Sequence, residues 1–284
     1  MWRFADCARM SKGFADIEMN LPYDTPNQHD IPLVRASRRG KGARIAIVTA
    51  IERGAGWIHR AQRFVPSQSP VKVNLGSGLF VASGWVNIDG SIKALIRGLP
   101  EIFLRRIYPL IDTSGTSEQE FIRLLRDNIF VHHNLKYGVP LPDSCADFVY
   151  SSHMLHHLYR DTAGNLLREV LRVLKPGGTV RLTVPDLEYI FSLYQQGKRE
   201  QALKYFFYTE PRGELFSRRY QYDFSLLRAL LSETGFGDIT RCAFREGRTP
   251  DLERLDRLPE QSLFVEARRF TPAVQELSAP SDHA

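Results

Sequence analysis

The chain has 284 residues, 43% of them apolar and 25% charged, with a formal net charge of +6. That is length enough for one elaborated domain, and the mixture excludes collagen-like and wholly disordered chains. Three cysteines, Cys7, Cys145 and Cys242, share no CxxC spacing, so neither a disulfide framework nor a cysteine zinc site is expected, and the compartment reads as reducing. The charge is uneven. Between Arg35 and Arg63 stand eight bases (Arg35, Arg38, Arg39, Lys41, Arg44, Arg53, Arg60, Arg63) against one acid, Glu52, while the remainder is close to neutral. Such a run either is a solvated arm or meets nucleic acid, an anionic membrane surface or an acidic substrate through its field. The longest stretch without charge, Val73 to Ile88, contains three glycines and falls short of the ~18 apolar residues a membrane span needs. Arg3, Asp6 and Arg9 occupy the place of a secretory apolar region, which points to a cytoplasmic location.

In chain order, residues 1–42 mix Pro22, Pro26 and Pro32 with polar residues and read as an irregular or disordered arm, basic at its end. A helical lead-in over 43–69 follows from Ile45, Val48, Ile51, Ala55 and Ile58 at helical spacing, weakened by Gly54 and Gly56 and closed by Pro66. Residues 70–270 alternate short apolar runs with helical patterns, the mark of an α/β domain with a parallel sheet and crossovers. The expected strands are 71–75, 85–88, 129–133, 148–151 and 179–184, with two more near 238–244 and 262–267. An insertion over 91–128 holds Ser117 and Glu120 at capping-box spacing. Asp161 is expected to cap a helix carrying Leu166, Leu167, Val170, Leu171 and Leu174, which Lys175-Pro176-Gly177-Gly178 stops. Helices over 186–196 and 224–234 flank a polar lid segment, 198–223, rich in Tyr205, Phe206, Phe207, Tyr208, Tyr220 and Tyr222 beside Arg212, Arg218 and Arg219. Residues 271–284 read as a flexible tail.

Directly after the first strand comes Asn74-Leu75-Gly76-Ser77-Gly78, where glycines let the backbone turn sharply beside a ligand. A nicotinamide fingerprint fits poorly: its third small residue would be Val81, and Asp89 follows Gly78 by only 11 positions where about 20 are wanted. After the fourth strand, His153, His156 and His157 are spaced to share a helical face. No Asp or Glu accompanies them, so no metal is assigned.

Six ordered pieces carry a family likeness: Asn74 to Gly78; Gly84-Trp85-Val86-Asn87-Ile88-Asp89; Leu141-Pro142-Asp143 leading to Asp147-Phe148-Val149-Tyr150; His153 to Leu158; Arg172-Val173-Leu174-Lys175-Pro176-Gly177-Gly178; and Val184-Pro185-Asp186-Leu187. Over roughly 71–267 the chain resembles class I S-adenosylmethionine-dependent methyltransferases, in the group of the type 11 methyltransferase domain. The resemblance implies a Rossmann-like seven-stranded mixed sheet of order 3-2-1-4-5-7-6, the seventh strand antiparallel, helices on both faces, and S-adenosylmethionine across the ends of strands one to four. It implies Asn74, Gly76, Ser77, Gly78, Asp89, Asn134, Leu135 and Ser151 as cofactor-binding, Asp89 taking the ribose hydroxyls. Asn134 stands where relatives carry an acid, though an amide oxygen can still accept from adenine. The 79–84 stretch is too short for a normal crossover helix, so a tight loop is expected there.

His153 and Asp186 are the candidate bases, against hydrogen bonding near the pocket for the first and helix capping for the second. Ser151-Ser152-His153 lacks the Asn/Asp-Pro-Pro-aromatic run of amino methylases, and Pro185 is followed by Asp186 where pyrimidine C5 methylases carry Cys. Oxygen, less readily carbon, of a small molecule, sugar or lipid-linked saccharide is the expected acceptor. The alternatives are a non-catalytic binding protein of the same fold, or an RNA methyltransferase using the basic arm, which lacks interleaved aromatics except Trp57. Acceptor specificity is expected in the 91–128 and 198–223 segments, with the rings of the second either meeting acceptor or packing the lid on the sheet.

Overall fold

A computed structural model describes residues 38–111, 115–207 and 217–270. The arm over 1–37, the tail over 271–284, and Tyr208 and Arg212 of the lid segment lie outside the described residues.

Seven strands form one sheet: β1 (Lys72–Leu75), β2 (Trp85–Asp89), β3 (Ile129–His132), β4 (Ala146–Ser152), β5 (Leu174–Pro185), β6 (Phe236–Cys242) and β7 (Ser262–Arg269). Their order is β3-β2-β1-β4-β5-β7-β6. β1 to β5 run parallel, and β7 is antiparallel to both β5 and β6. Every residue of β2 is buried, as in a parallel sheet covered on both faces, and its two polar residues, Asn87 and Asp89, are hydrogen-bonded there. The register aligns Leu75 with Ile88 and Ser151, and Asp89 with His132. Four strands therefore end level, and the loops after them share one edge.

One face is covered by α5 (Arg160–Val173) and α8 (Phe224–Glu233). Ala163, Leu166, Leu167 and Val170 recur at helical spacing and meet Leu227, Leu230 and Leu231 over Val73, Leu75 and Val149. Each fully buried leucine or valine among them stabilises by roughly 1.5–3 kcal/mol. On the opposite face Trp85 and Tyr150 pack against Leu252 and Leu255 of α9 (Leu252–Leu255). There Arg181, wholly buried, pairs with Asp256 at 2.6 Å and Glu266 at 3.3 Å. Tyr150 donates to the Leu255 carbonyl at 2.7 Å.

The insertion folds into α2 (Ile92–Ile96), α3 (Glu101–Ile107) and α4 (Glu118–Asp127), packed together through Leu104, Phe121 and Leu125. Ser117 caps α4 by accepting from the Glu120 amide, as the spacing predicts. No helix lies between β1 and β2.

Four expectations are corrected. α1 (Arg38–Ile58) begins inside the stretch read as irregular. Asp161 does not cap α5: the N-cap is Tyr159, and Asp161 sits in the first turn, where its charge suits the helix dipole. α5 ends at Val173, so the Lys175 to Gly178 stop already belongs to β5. The polar segment begins as a helix, α7 (Arg199–Phe207), which packs Ala202 and Tyr205 on Ile190 and Leu193 of α6 (Leu187–Gln195). For Tyr205, then, packing accounts for the ring.

Candidate functional site

The loop after β1 is shaped by two left-handed glycines, Gly76 at φ +67° and Gly78 at φ +55°. The Gly76 amide donates to the Ile88 carbonyl at 2.9 Å, pulling the loop toward the end of β2. Beneath it, the Asn74 amide group donates to the Phe80 carbonyl at 2.9 Å and to Asn87 Oδ1 at 3.1 Å. Ser151 donates its hydroxyl to the Leu75 carbonyl at 3.1 Å. Asn74 and Ser151 are thus struts under the loop, both buried. Ser77 differs: its hydroxyl is buried in the loop without a hydrogen-bond partner, an opening for a ligand's polar atom. A Cβ added at Gly76 would lie 2.4 Å from Met154 Cγ, so Met154, just past β4, closes over this turn.

Asp89 ends β2 and is nine-tenths buried. Its Oδ2 accepts from the Gly78 amide at 2.8 Å and its Oδ1 from the Ser91 amide at 2.7 Å. Each oxygen keeps a second lone pair for a ligand hydroxyl. Gly78, Asp89 and Ser91 therefore make one preorganised anionic corner at the sheet edge. The residues fit a ligand with hydroxyl donors and no phosphate: a carboxylate, an orphan hydroxyl and two glycines without side chains.

The lead-in helix reaches this corner, which the sequence pattern did not reveal. Glu52 of α1 is buried, and its Oε1 accepts from the Ile92 amide at 2.8 Å, serving the first turn of α2 where Ser91 makes no side-chain cap. Burial raises the Glu52 pKa, and the neighbouring Asp89 charge adds to the rise. Gly56 faces Asn134 so closely that a Cβ would stand 3.2 Å from Asn134 Cβ. Asn134 Oδ1 accepts from the Lys136 amide at 3.1 Å, and Leu135 opens the 3-10 turn that follows. Just beyond α1, His59 Nδ1 lies 2.9 Å from His132 Nδ1, within hydrogen-bond distance. The one signal for this was Glu52 itself, a lone acid among eight bases. A cavity of about 440 Å³ lies farther out at the β3 edge, between His59, Phe64, Ala94, Phe130 and His132, away from the glycine loop.

At the ends of β4 and β5 the three histidines do not sit on a helix. His153 is itself left-handed at φ +49°, and Leu155–His157 is a single 3-10 turn. The rings still gather, His156 4.0 Å from His157 and 6.0 Å from His153 between centroids. His153 Nε2 is 2.9 Å from Ser262 Oγ. Burial, then the charges of Arg257 and Arg218, hold its pKa down to about 3, and burial lowers His156 as well. Both are neutral near pH 7, and an imidazole so depressed is a hydrogen-bonding partner rather than a proton acceptor. Asp186 Oδ1 accepts from the Glu188 amide at 3.0 Å, capping α6, and Oδ2 pairs with Arg241 of β6 at 2.9 Å, so both oxygens are already engaged. Around this mouth guanidinium groups lie over rings: Arg257 on Phe80 at 3.2 Å, Arg218 on Tyr205 at 4.9 Å, Arg219 on Tyr159 at 5.0 Å. The lid's return is stitched here, the Arg219 and Tyr220 amides donating to the His156 carbonyl.

Residues 107–182 match a methyltransferase domain family, spanning the chain from the insertion to β5. No curated protein matches the chain. Among solved structures it is similar to a possible exported protein from Bordetella parapertussis, with 16% identity over 86% of this chain and 71% of that one, TM-score 0.43. It is similar to human N-acetylserotonin methyltransferase, solved in complex with S-adenosylmethionine, with 16% identity over 82% and 57%, TM-score 0.41. A methyltransferase from Archaeoglobus fulgidus gives 15% identity over 79% and 94%, TM-score 0.40. Likenesses this remote carry no weight beside the domain match and the sheet. The chain thus carries a methyltransferase-domain match over residues 107–182 on a sheet of order β3-β2-β1-β4-β5-β7-β6 with one antiparallel strand.

Proposed function

We propose that the chain methylates an oxygen of a small-molecule, sugar or lipid-linked saccharide acceptor, with the glycine loop and the Asp89 corner holding the donor. The observation that carries the reading is the mouth beyond that corner, where arginines lie on aromatic rings and the carboxylates are committed elsewhere. Ring faces with guanidinium neighbours suit a sugar ring or an anionic group.

S-adenosylmethionine, when bound, supplies a methyl group on a sulfonium whose leaving group is already activated. The protein's contribution is then in-line positioning and exclusion of water more than acid-base help. Gly76 and Gly78 leave backbone room, Ser77 offers its unpartnered hydroxyl, and Asp89 accepts from hydroxyl donors. Asn74 and Ser151 keep the loop in place from below, and Asn134 and Leu135 border the corner where β3 ends. His153, neutral and bonded to Ser262, orients an acceptor without taking its proton, and Asp186 acts as a helix cap.

The test is incubation of a host extract with the enzyme and labelled-methyl donor, followed by mass spectrometry. Label in a methyl ether or ester of a small-molecule, saccharide or lipid fraction is expected. Label on nitrogen, or on RNA, would overturn the acceptor assignment while leaving the enzyme class standing.

A further inference from the structure

The segment from Arg35 to Arg63 is strongly basic, and its one acid is turned inward, Glu52 being buried on the α2 amide. Gly56 faces the same way, against Asn134. Positions 47, 51, 54 and 58 recur at steps of four, three and four and share the opposite face of α1. There Ile47, Ile51 and Ile58 are 60%, 44% and 67% exposed, and a Cβ at Gly54 would meet nothing. Trp57, 59% exposed at the margin of this stripe, has the Arg60 guanidinium 4.0 Å above its ring. Val65, shortly beyond, is 73% exposed.

A stripe of large apolar side chains held in water on one helix marks an interaction surface. A second copy of this chain would bring the same concentrated positive charge against itself. A nucleic acid would satisfy the bases and leave the isoleucines facing water. An anionic bilayer surface takes both features, the apolar stripe entering the headgroup–acyl boundary, the bases meeting anionic headgroups, and Trp57 with Arg60 lying at the interface. We infer that α1 is an interfacial helix that docks the enzyme peripherally on an anionic membrane. No helix among the described residues is long and apolar enough to cross a membrane. Because the inner face of α1 touches the Asp89 and Asn134 corner, docking brings the donor end of the site to the bilayer surface. That arrangement suits a lipid-linked acceptor, but the inference does not depend on which acceptor is used.

The full chain is sedimented with vesicles of phosphatidylcholine alone and with about a third phosphatidylserine. Binding is expected on the anionic vesicles only, weakening as salt is raised to about 0.5 M. Ile51→Glu with Ile58→Glu should weaken it by more than about tenfold, since both side chains belong to the stripe. Thermal unfolding and S-adenosylhomocysteine binding should be unchanged in that variant. A blue shift of tryptophan emission on vesicles should vanish in Trp57→Phe. Equal binding by parent and double variant, no preference for anionic vesicles, or no vesicle binding would overturn the inference. So would RNA binding in its place, or a dimer that the two substitutions dissociate. Since donor binding is measured separately, failure here is distinguishable from failure of the proposed reaction.

Discussion

Replacing Gly76 by alanine introduces two separable costs. At φ +67° an L-residue is strained by about 1–2 kcal/mol. The new Cβ would also stand 2.4 Å from Met154 Cγ and 2.8 Å from Met154 Cβ, and the second atom is too near the backbone for a rotamer change to clear it. Overpacking of this kind costs about 1–3 kcal/mol, so Gly76→Ala should destabilise by about 2–5 kcal/mol and Gly76→Val by more. Met154→Ala removes the 2.4 Å contact with Cγ and leaves the Cβ contact and the backbone strain. A double-mutant cycle by urea unfolding should therefore return a favourable coupling of about 0.5–3 kcal/mol. Isothermal titration with S-adenosylhomocysteine on the same four proteins should show weakened binding in Gly76→Ala with partial recovery in the double variant. Additive destabilisation, or Gly76→Ala unfolding at the parent's urea midpoint, would refute both the contact and the argument built on it.

Asp89→Ala removes the acceptor of two backbone amides and of the proposed ribose bonds, and should weaken S-adenosylhomocysteine by ~1.5–3 kcal/mol; an unchanged Kd would mean that another acid serves the ribose. Burial depresses the pKa values of His132, His133, His153 and His156, so the unfolded chain takes up protons that the native one refuses. Their contribution to stability is complete above the ordinary histidine pKa of 6.5 and is lost as pH falls, His153 alone accounting for about 3 kcal/mol by about pH 4.5. His153→Gln should flatten that slope in urea unfolding across pH, and parallel slopes would contradict it. Asp256→Ala leaves the buried Arg181 charge with only its longer pair to Glu266 and should cost about 3–5 kcal/mol by urea unfolding, whereas a loss below about 1 kcal/mol would mean that Glu266 or water compensates the guanidinium.

The sheet was legible because a parallel sheet covered by helices writes its strands as short, mostly apolar runs, as Trp85-Val86-Asn87-Ile88 and Ile129-Phe130-Val131 show. The glycine loop and the Ser117 cap were legible because each depends on residues a few positions apart. Contacts across long separations were not. The Glu52 bond to Ile92 spans 40 residues and the Arg181 pair with Asp256 spans 75, and no local periodicity encodes either. Asp161 misled because an acid at a helix start suits both the cap and the first turn, and only the backbone of Tyr159, extended at φ −64° and ψ 152°, decides between them. The three histidines have helical spacing without a helix, because the left-handed His153 breaks the chain there and a turn gathers the rings.

The central claim is that the corner formed by Gly76, Ser77, Gly78 and Asp89 holds the methyl donor, and isothermal titration of the unmodified chain with S-adenosylhomocysteine tests it most directly. Saturable binding at one site per chain, weakened in Asp89→Ala and Gly76→Ala, is the predicted result. Absence of binding by protein that still unfolds cooperatively would contradict it.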